Sequence, residues 1–176
     1  MFYSFKLKRI QTVDVIVLAS LFTIRVVAGG LAIGVPLSFW LLCFSMFIFL
    51  SLAMVKRVSE LIRVEQEKGA TIENISGRGY FTDDTVILQC MGGTAGLISV
   101  LVFALYINSP EVTNLYPHPE LLWLTCPILA YWIMRVWMLA ARGQMNEDPI
   151  SFAITDKNSW FAAGVMVFIL AIASLI

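Results

Sequence analysis

The chain has 176 residues, 59% of them hydrophobic and 14% charged, with a mean hydropathy of +0.83. That balance lies far outside the soluble range and excludes an ordinary water-soluble globular enzyme. Twelve basic residues offset twelve acidic ones, so no excess of charge points to nucleic acid as a partner.

A helix needs about 20 mainly apolar residues to cross a bilayer. Five segments qualify: Val15 to Ile33, Phe39 to Val55, Val86 to Ile107, Leu121 to Ala141 and Trp160 to Ile176. The expected fold is an all-α integral membrane protein, a single transmembrane domain over residues 1–176. Its helices are expected at about 13–33, 37–66, 84–107, 120–141 and 159–176, with a cytoplasmic loop at about 67–83 and a short interfacial helix at about 149–156.

Before the first helix stand Lys6, Lys8 and Arg9, with no small-residue cleavage site after the first apolar stretch, so a signal peptide is not expected. Arg25 lies ten residues into that apolar segment. A central arginine costs about 2.5–3.5 kcal/mol on insertion scales and normally faces a partner or a wet cavity. Asp14 shares its face but sits roughly 16 Å away along the axis, so Arg25 must find its partner elsewhere. Either it ties two helices together or it lines a polar, substrate-facing cavity; the second reading is slightly favoured. "AIGVPLS", with Pro36, makes a tight hairpin to the second helix.

The second helix ends in Lys56, Arg57 and Glu60, which share one face at offsets of three and four. They read either as a positive-inside anchor with a helical ion pair or as a phosphate site, with Glu60 as a magnesium ligand. Gly77-Arg78-Gly79-Tyr80 offers flexible amides and a cation to an anion, although G-x-G is common loop chemistry. Asp83 is a candidate Mg²⁺ ligand beside Asp84; N-capping of the third helix explains both equally well. Asn74-Ile75-Ser76 fits a glycosylation sequon, but its loop is expected in the cytoplasm.

In the third helix, Gly92-x-x-x-Gly96 allows close packing against a neighbour. The following loop carries three prolines and the only histidine, His118, which, alone in a loop beside prolines, reads as decoration rather than as a catalyst. Pro127 is expected to kink the fourth helix. Asp148 and Pro149 can start a short helix whose Ile150, Phe152, Ala153 and Ile154 would lie on the membrane surface. Cys43, Cys90 and Cys126 show no metal or disulfide spacing. The 22 aromatics suit a prenyl-binding cavity, but more simply a membrane core and interface belt.

Lys and Arg number three, none, five, none and three in or beside the successive segments outside the helices. Basic residues collect on cytoplasmic loops, so the N-terminus is expected in the cytoplasm, with the protein in the inner (cytoplasmic) membrane.

"YSFKLKR…DVIVLASLFTIRVVAGG…VPLSFWLLCFSMFIFLSLAMVKRVSEL", "SGRGY", "LYINSPEV", "HPELLWLTCPILAYWIMRVWMLAARGQM" and "DPISFAITDKNS" together resemble the second half of a UbiA-type polyprenyl transferase. The likeness covers nearly the whole chain and is greatest to the branch that includes decaprenyl-phosphate phosphoribosyltransferases. It implies that the five helices are part of a nine-helix bundle around a lipid-open cavity, with polar motifs holding Mg²⁺ and a diphosphate. The family's first acidic motif, of the Asn-Asp-x-x-Asp type, has no counterpart here; it would belong to a missing N-terminal half. Tyr3 and Lys8 match the family's Tyr and Lys near the diphosphate, at a spacing of five where four is commoner. The second motif, usually Asp-x-x-x-Asp, reads Lys56-Arg57-Val58-Ser59-Glu60, which suggests cations binding phosphate directly.

The expected function is a membrane transferase acting on a polyprenyl phosphate or diphosphate with Mg²⁺. The sequence leaves open prenyl transfer, phosphoribosyl transfer to polyprenyl phosphate, and a non-catalytic membrane subunit or transporter. The expected substrate-binding residues are Tyr3, Lys8, Arg25, Lys56, Arg57, Arg78 and Tyr80, with Glu60 and Asp83 as metal ligands and no catalytic residue assigned. The chain alone is expected to be inactive.

Overall fold

The computed structural model describes residues 12–34, 38–68, 79–145 and 148–175. Among these residues the chain is all-α. Its elements are α1 (Val13–Ala32), α2 (Phe39–Lys68), a 3₁₀ turn (Thr82–Asp84), α3 (Thr85–Ile107), α4 (Pro110–Thr113), a second 3₁₀ stretch (Pro119–Leu124), α5 (Thr125–Ala141), α6 (Pro149–Thr155) and α7 (Lys157–Leu175). Five of the helical segments are long and apolar enough to span a membrane, and the chain is a multi-pass membrane protein by that measure. Many of their large apolar side chains face outward, among them Ile24, Leu101, Met134 and Phe168. Such surface suits lipid, where an aqueous surface would leave it costly.

The 30 residues of α2 extend about 45 Å, longer than the roughly 30 Å hydrocarbon layer. Its last turns therefore project beyond the membrane, which is where its charges begin. This helix is the centre of the bundle, packed along α3 and flanked by α1 and α5; α7 rests on α5 and the second 3₁₀ stretch.

The small residues of α3 make the tight contact possible. The Ser51 hydroxyl donates to the Gly92 carbonyl at 2.8 Å, and the Trp137 indole N–H donates to the Ser51 oxygen at 3.0 Å. A Cβ on Gly92 would come within 2.3 Å of the Trp137 ring and 2.8 Å of Met54. One on Gly96 would meet Ile133 at 2.6 Å and Ser51 at 2.9 Å. One serine thus fastens three helices at a seam only glycine can form.

Pro127 does not kink a long helix. It is the third residue of α5, where the missing N–H would have no intrahelical partner in any case. A 3₁₀ stretch, Pro119–Leu124, runs directly into α5. The proline-rich connection is also better packed than an outer loop need be: Val112 and Leu122 are buried in one cluster with Ile107, Cys126 and Ala173. The opposite end of the bundle gathers the start of α1, the end of α2, the start of α3, the end of α5, and α6. It carries most of the charged side chains of the described residues, Glu120 and Arg25 lying elsewhere.

Candidate functional site

At the charged end, α1, α2 and the segment leading into the first 3₁₀ turn meet on one buried carboxylate. Asp14, in the first turn of α1, has no exposed surface. Its Oδ2 accepts from Arg57 Nε of α2 at 2.7 Å, and its Oδ1 accepts from the Tyr80 hydroxyl at 2.6 Å. Arg57 is itself 3% exposed, and its Nη1 donates to Glu60 Oε2 at 2.6 Å. The Tyr80 oxygen accepts from the backbone N–H of Thr12 at 2.8 Å. Thr12 holds a φ of 65°, an unusual conformation for a β-branched residue, and the Tyr80 contact stabilises it there.

A guanidinium held by two carboxylates, with every bond short, is the arrangement in which a buried charge is tolerated. Burial, together with the hydrogen bond to Asp14, pushes the Tyr80 hydroxyl well above its ordinary pKa. It is a fixed donor at neutral pH. Around it Val58, Leu61 and Leu88 exclude water.

Lys56 and Arg57 part company, because neighbours on a helix point about 100° apart. While Arg57 turns inward, Lys56 pairs with Asp148 at the start of α6, both about one third exposed. Asp148 therefore anchors α6 through Lys56, and makes no side-chain cap on that helix. The other end of α6 is held too. Arg135 of α5 donates to both oxygens of Asp156, at 2.6 and 3.0 Å. Asp156 also accepts from the Ser159 backbone N–H and hydroxyl, which starts α7. Hydrogen bonding from Arg135 holds the Asp156 carboxyl below its usual range, with burial opposing.

The sequence-predicted site is thus brought together in part. Arg57, Glu60 and Tyr80 meet around Asp14, with Lys56 one residue along. Arg25 does not join them: it is exposed on the outer side of α1, its guanidinium 4.8 Å from the centre of the Phe22 ring. Asp83 is exposed in the 3₁₀ turn, whereas Asp84 accepts from the Phe81 N–H at 2.9 Å and closes that turn. Tyr3, Lys8 and Arg78 lie outside the described residues, as does the sequon.

Among the described residues no three His, Cys, Asp or Glu side chains converge on a point. Asp14 is engaged through both oxygens and Glu60 is committed to Arg57. The described donors by themselves do not fit a Mg²⁺ cage, which needs several free oxygen ligands.

Sequence reasoning missed the role of Asp14, weighing it only as a partner for Arg25. The available signal was an acid inside the first turn of an apolar helix. Its partners are 43 and 66 residues away, beyond any periodicity.

No protein-family model matches the chain. It is similar to the uncharacterized protein y4nM of Sinorhizobium fredii, at 38% identity over 165 residues, covering 93% of this chain and 31% of that protein. Nodulation protein NoeC of Azorhizobium caulinodans is 32% identical over 160 residues, 89% of this chain and 50% of that one. The decaprenyl-phosphate phosphoribosyltransferase of Mycolicibacterium smegmatis is 40% identical over 112 residues, 64% of this chain and 34% of the enzyme. The chain spans half or less of the length of each of these curated relatives.

Proposed function

We propose that this chain is part of a UbiA-type membrane transferase acting on a polyprenyl phosphate or diphosphate at the cytoplasmic face of the inner membrane. The observation that carries the reading is its 40% identity over 112 residues to a decaprenyl-phosphate phosphoribosyltransferase. That similarity favours phosphoribosyl transfer to polyprenyl phosphate over prenyl transfer. The orientation, with the N-terminus in the cytoplasm, follows from the clustering of basic residues at the charged end.

In this reading the Asp14–Arg57–Glu60–Tyr80 network is the rigid floor of the phosphate side. Lys56 would supply a cation to the phosphate; by the family resemblance Tyr3 and Lys8 would add a donor and a cation, and Arg78 a further cation, all three lying outside the described residues. The chain's own residues would bind and orient the phosphate and neutralise its charge. Mg²⁺ belongs to the proposal, where it would neutralise phosphate charge; Asp83, exposed in the 3₁₀ turn, could lend it one oxygen, and its other ligands would lie beyond those the described residues gather. A further membrane segment carrying the first acidic motif would complete the enzyme.

A second reading, a non-catalytic membrane subunit or transporter, is favoured by one observation. Lys56 and Arg57 already hold carboxylate partners within the chain. Membranes from host cells with and without the gene decide between them, assayed with radiolabelled decaprenyl phosphate, 5-phosphoribosyl diphosphate and Mg²⁺. The transferase reading expects conversion to disappear on deletion, and to return with the wild-type gene but not with Lys56→Gln, Arg57→Gln and Glu60→Gln combined. Unchanged conversion in the deletion strain would overturn it. Rescue by an expressed triple variant would favour the subunit.

A further inference from the structure

The short helix α6 is fastened unequally at its two ends. At the far end Asp156 accepts from Nη1 and Nη2 of Arg135 at 2.6 and 3.0 Å, and from the Ser159 N–H and hydroxyl at 2.8 and 2.9 Å. The Trp132 indole N–H donates to the same serine at 2.9 Å, and the Arg135 guanidinium lies 5.7 Å from the centre of the Phe152 ring. At the near end Asp148 pairs with Lys56 of α2, both about one third exposed. A partly solvated ion pair of that kind is weak. The helix is hinged at Asp156 and latched at Asp148.

Beside the latch lies a cleft between α1 and α2. Its apolar walls include Leu18 and Leu52, and Pro149 and Ile150 of α6 close it from above. Along α2 the lining runs from Lys56 through Leu52 to Phe49, about 10 Å of helix. There Phe49 stacks on Phe22 of α1, ring centroids 5.2 Å apart, so the two helices stay in contact at the deep end. A third helix, about 10 Å across, has no room to enter. With α6 latched the cleft holds about 50 Å³, a third of the roughly 150 Å³ that admits benzene in an engineered cavity. It is shut to a ligand until Pro149 and Ile150 move.

The shape and the charge select one class of occupant, a single hydrocarbon chain ending in an anion. Its anion would meet Lys56, where α2 leaves the apolar layer, and its first carbons would lie along Leu52 toward Phe49. A phosphate monoester carries about −1.5 to −2 at pH 7, more than the single charge of Asp148, and so competes for the lysine as a point charge. We infer that α6 is a phosphate-operated lid: the phosphate of a polyprenyl phosphate takes Lys56 from Asp148, Pro149 and Ile150 lift about the Asp156 hinge, and the first isoprene units enter the cleft between α1 and α2. The identity of the lipid rests on the proposed function; the lid and the cleft do not.

The test uses the full chain in host-cell membranes and a decaprenyl phosphate analogue with a diazirine on its first isoprene unit, photolysed and mapped by mass spectrometry. Label is expected on Leu18, Phe22 or Leu52. Asp148→Asn should raise it by up to about fivefold. Ile150→Ala, which thins the lid and leaves the latch in place, should raise it as well. Lys56→Gln should lower it about tenfold, and the matching decaprenol analogue should label the cleft no better than that variant does. Label confined to the groove between α3 and α5, at Met134, Trp137 and Met138, would overturn the inference. So would cleft labelling that is indifferent to Asp148→Asn and Ile150→Ala, or equal with decaprenol. Cleft labelling that follows these variants without transferase activity leaves the lid standing while the proposed function falls; activity with the label elsewhere does the reverse.

Discussion

Asp14→Leu is the sharpest probe of the buried network. Asp14 is fully buried and accepts from Arg57 at 2.7 Å and Tyr80 at 2.6 Å. The substitution leaves a guanidinium that is 3% exposed with Glu60 still bound to its Nη1, and strands the Tyr80 hydroxyl. Breaking a buried pair from one side costs about 3–5 kcal/mol, because an uncompensated charge stays behind. For a chain of this size 1 kcal/mol corresponds to roughly 2–4 °C in Tm, so the expected fall is about 6–20 °C. Circular dichroism melting of the purified chain in detergent reads it directly. Arg57→Leu added to Asp14→Leu removes the stranded charge and should recover most of the loss. If the double variant melts no higher than Asp14→Leu, or if Asp14→Leu alone melts within about 2 °C of wild type, the network is not what holds α1 to α2.

Gly92→Ala should destabilise by about 1–3 kcal/mol, since its Cβ would strike Trp137 and Met54. Gly93→Ala, with nothing within 4 Å, should leave the melting curve unchanged, so equal losses would refute the seam. Asp156 has a lowered pKa in the folded chain; it stabilises above its unfolded value of about 3.9, and that contribution fades as pH falls through the still lower folded value. Asp156→Asn should therefore melt below wild type at pH 7, and the gap should close on acidification below about 4. Tyr80 runs the other way. Its raised folded pKa means a contribution fully present below about 10 and lost as pH rises further, so Tyr80→Phe should flatten the alkaline decline in stability.

The five spanning segments were legible because length and apolarity are local properties; the extension of α2 was read from the helical spacing of Val55, Ser59, Ile62 and Gln66 opposite a charged face. The glycine seam was legible as spacing, though not its hydrogen bond through Ser51. Pro127 misled, since a proline in an apolar run reads as a kink until the preceding 3₁₀ stretch is known. The network around Asp14 was half visible. Arg57 and Glu60 are a helical pair three residues apart, but Asp14 and Tyr80 join them only after α1, α2 and the start of α3 have packed. Nor can a sequence disclose that Thr12 has a positive φ.

The charge of the cluster bears on which functional reading survives. Lys56 and Arg57 face Asp14, Glu60 and Asp148, two cations against three carboxylates. A phosphate brought to this group meets no net attraction unless a carboxylate withdraws or further cations arrive. Asp14 and Glu60 cannot withdraw without stranding buried Arg57; Asp148 can, because its pair with Lys56 is partly solvated and worth at most about 1 kcal/mol. If Lys56 is a phosphate ligand, Asp148→Asn removes its competitor and should tighten binding of decaprenyl phosphate to the chain in nanodiscs by up to about fivefold. If Lys56 serves only to anchor α6, the same variant leaves phosphate binding where it was and instead speeds proteolysis near Pro149. The two readings of one lysine thus predict opposite outcomes from one substitution, and unchanged binding with a loosened α6 would take Lys56 out of the proposed site.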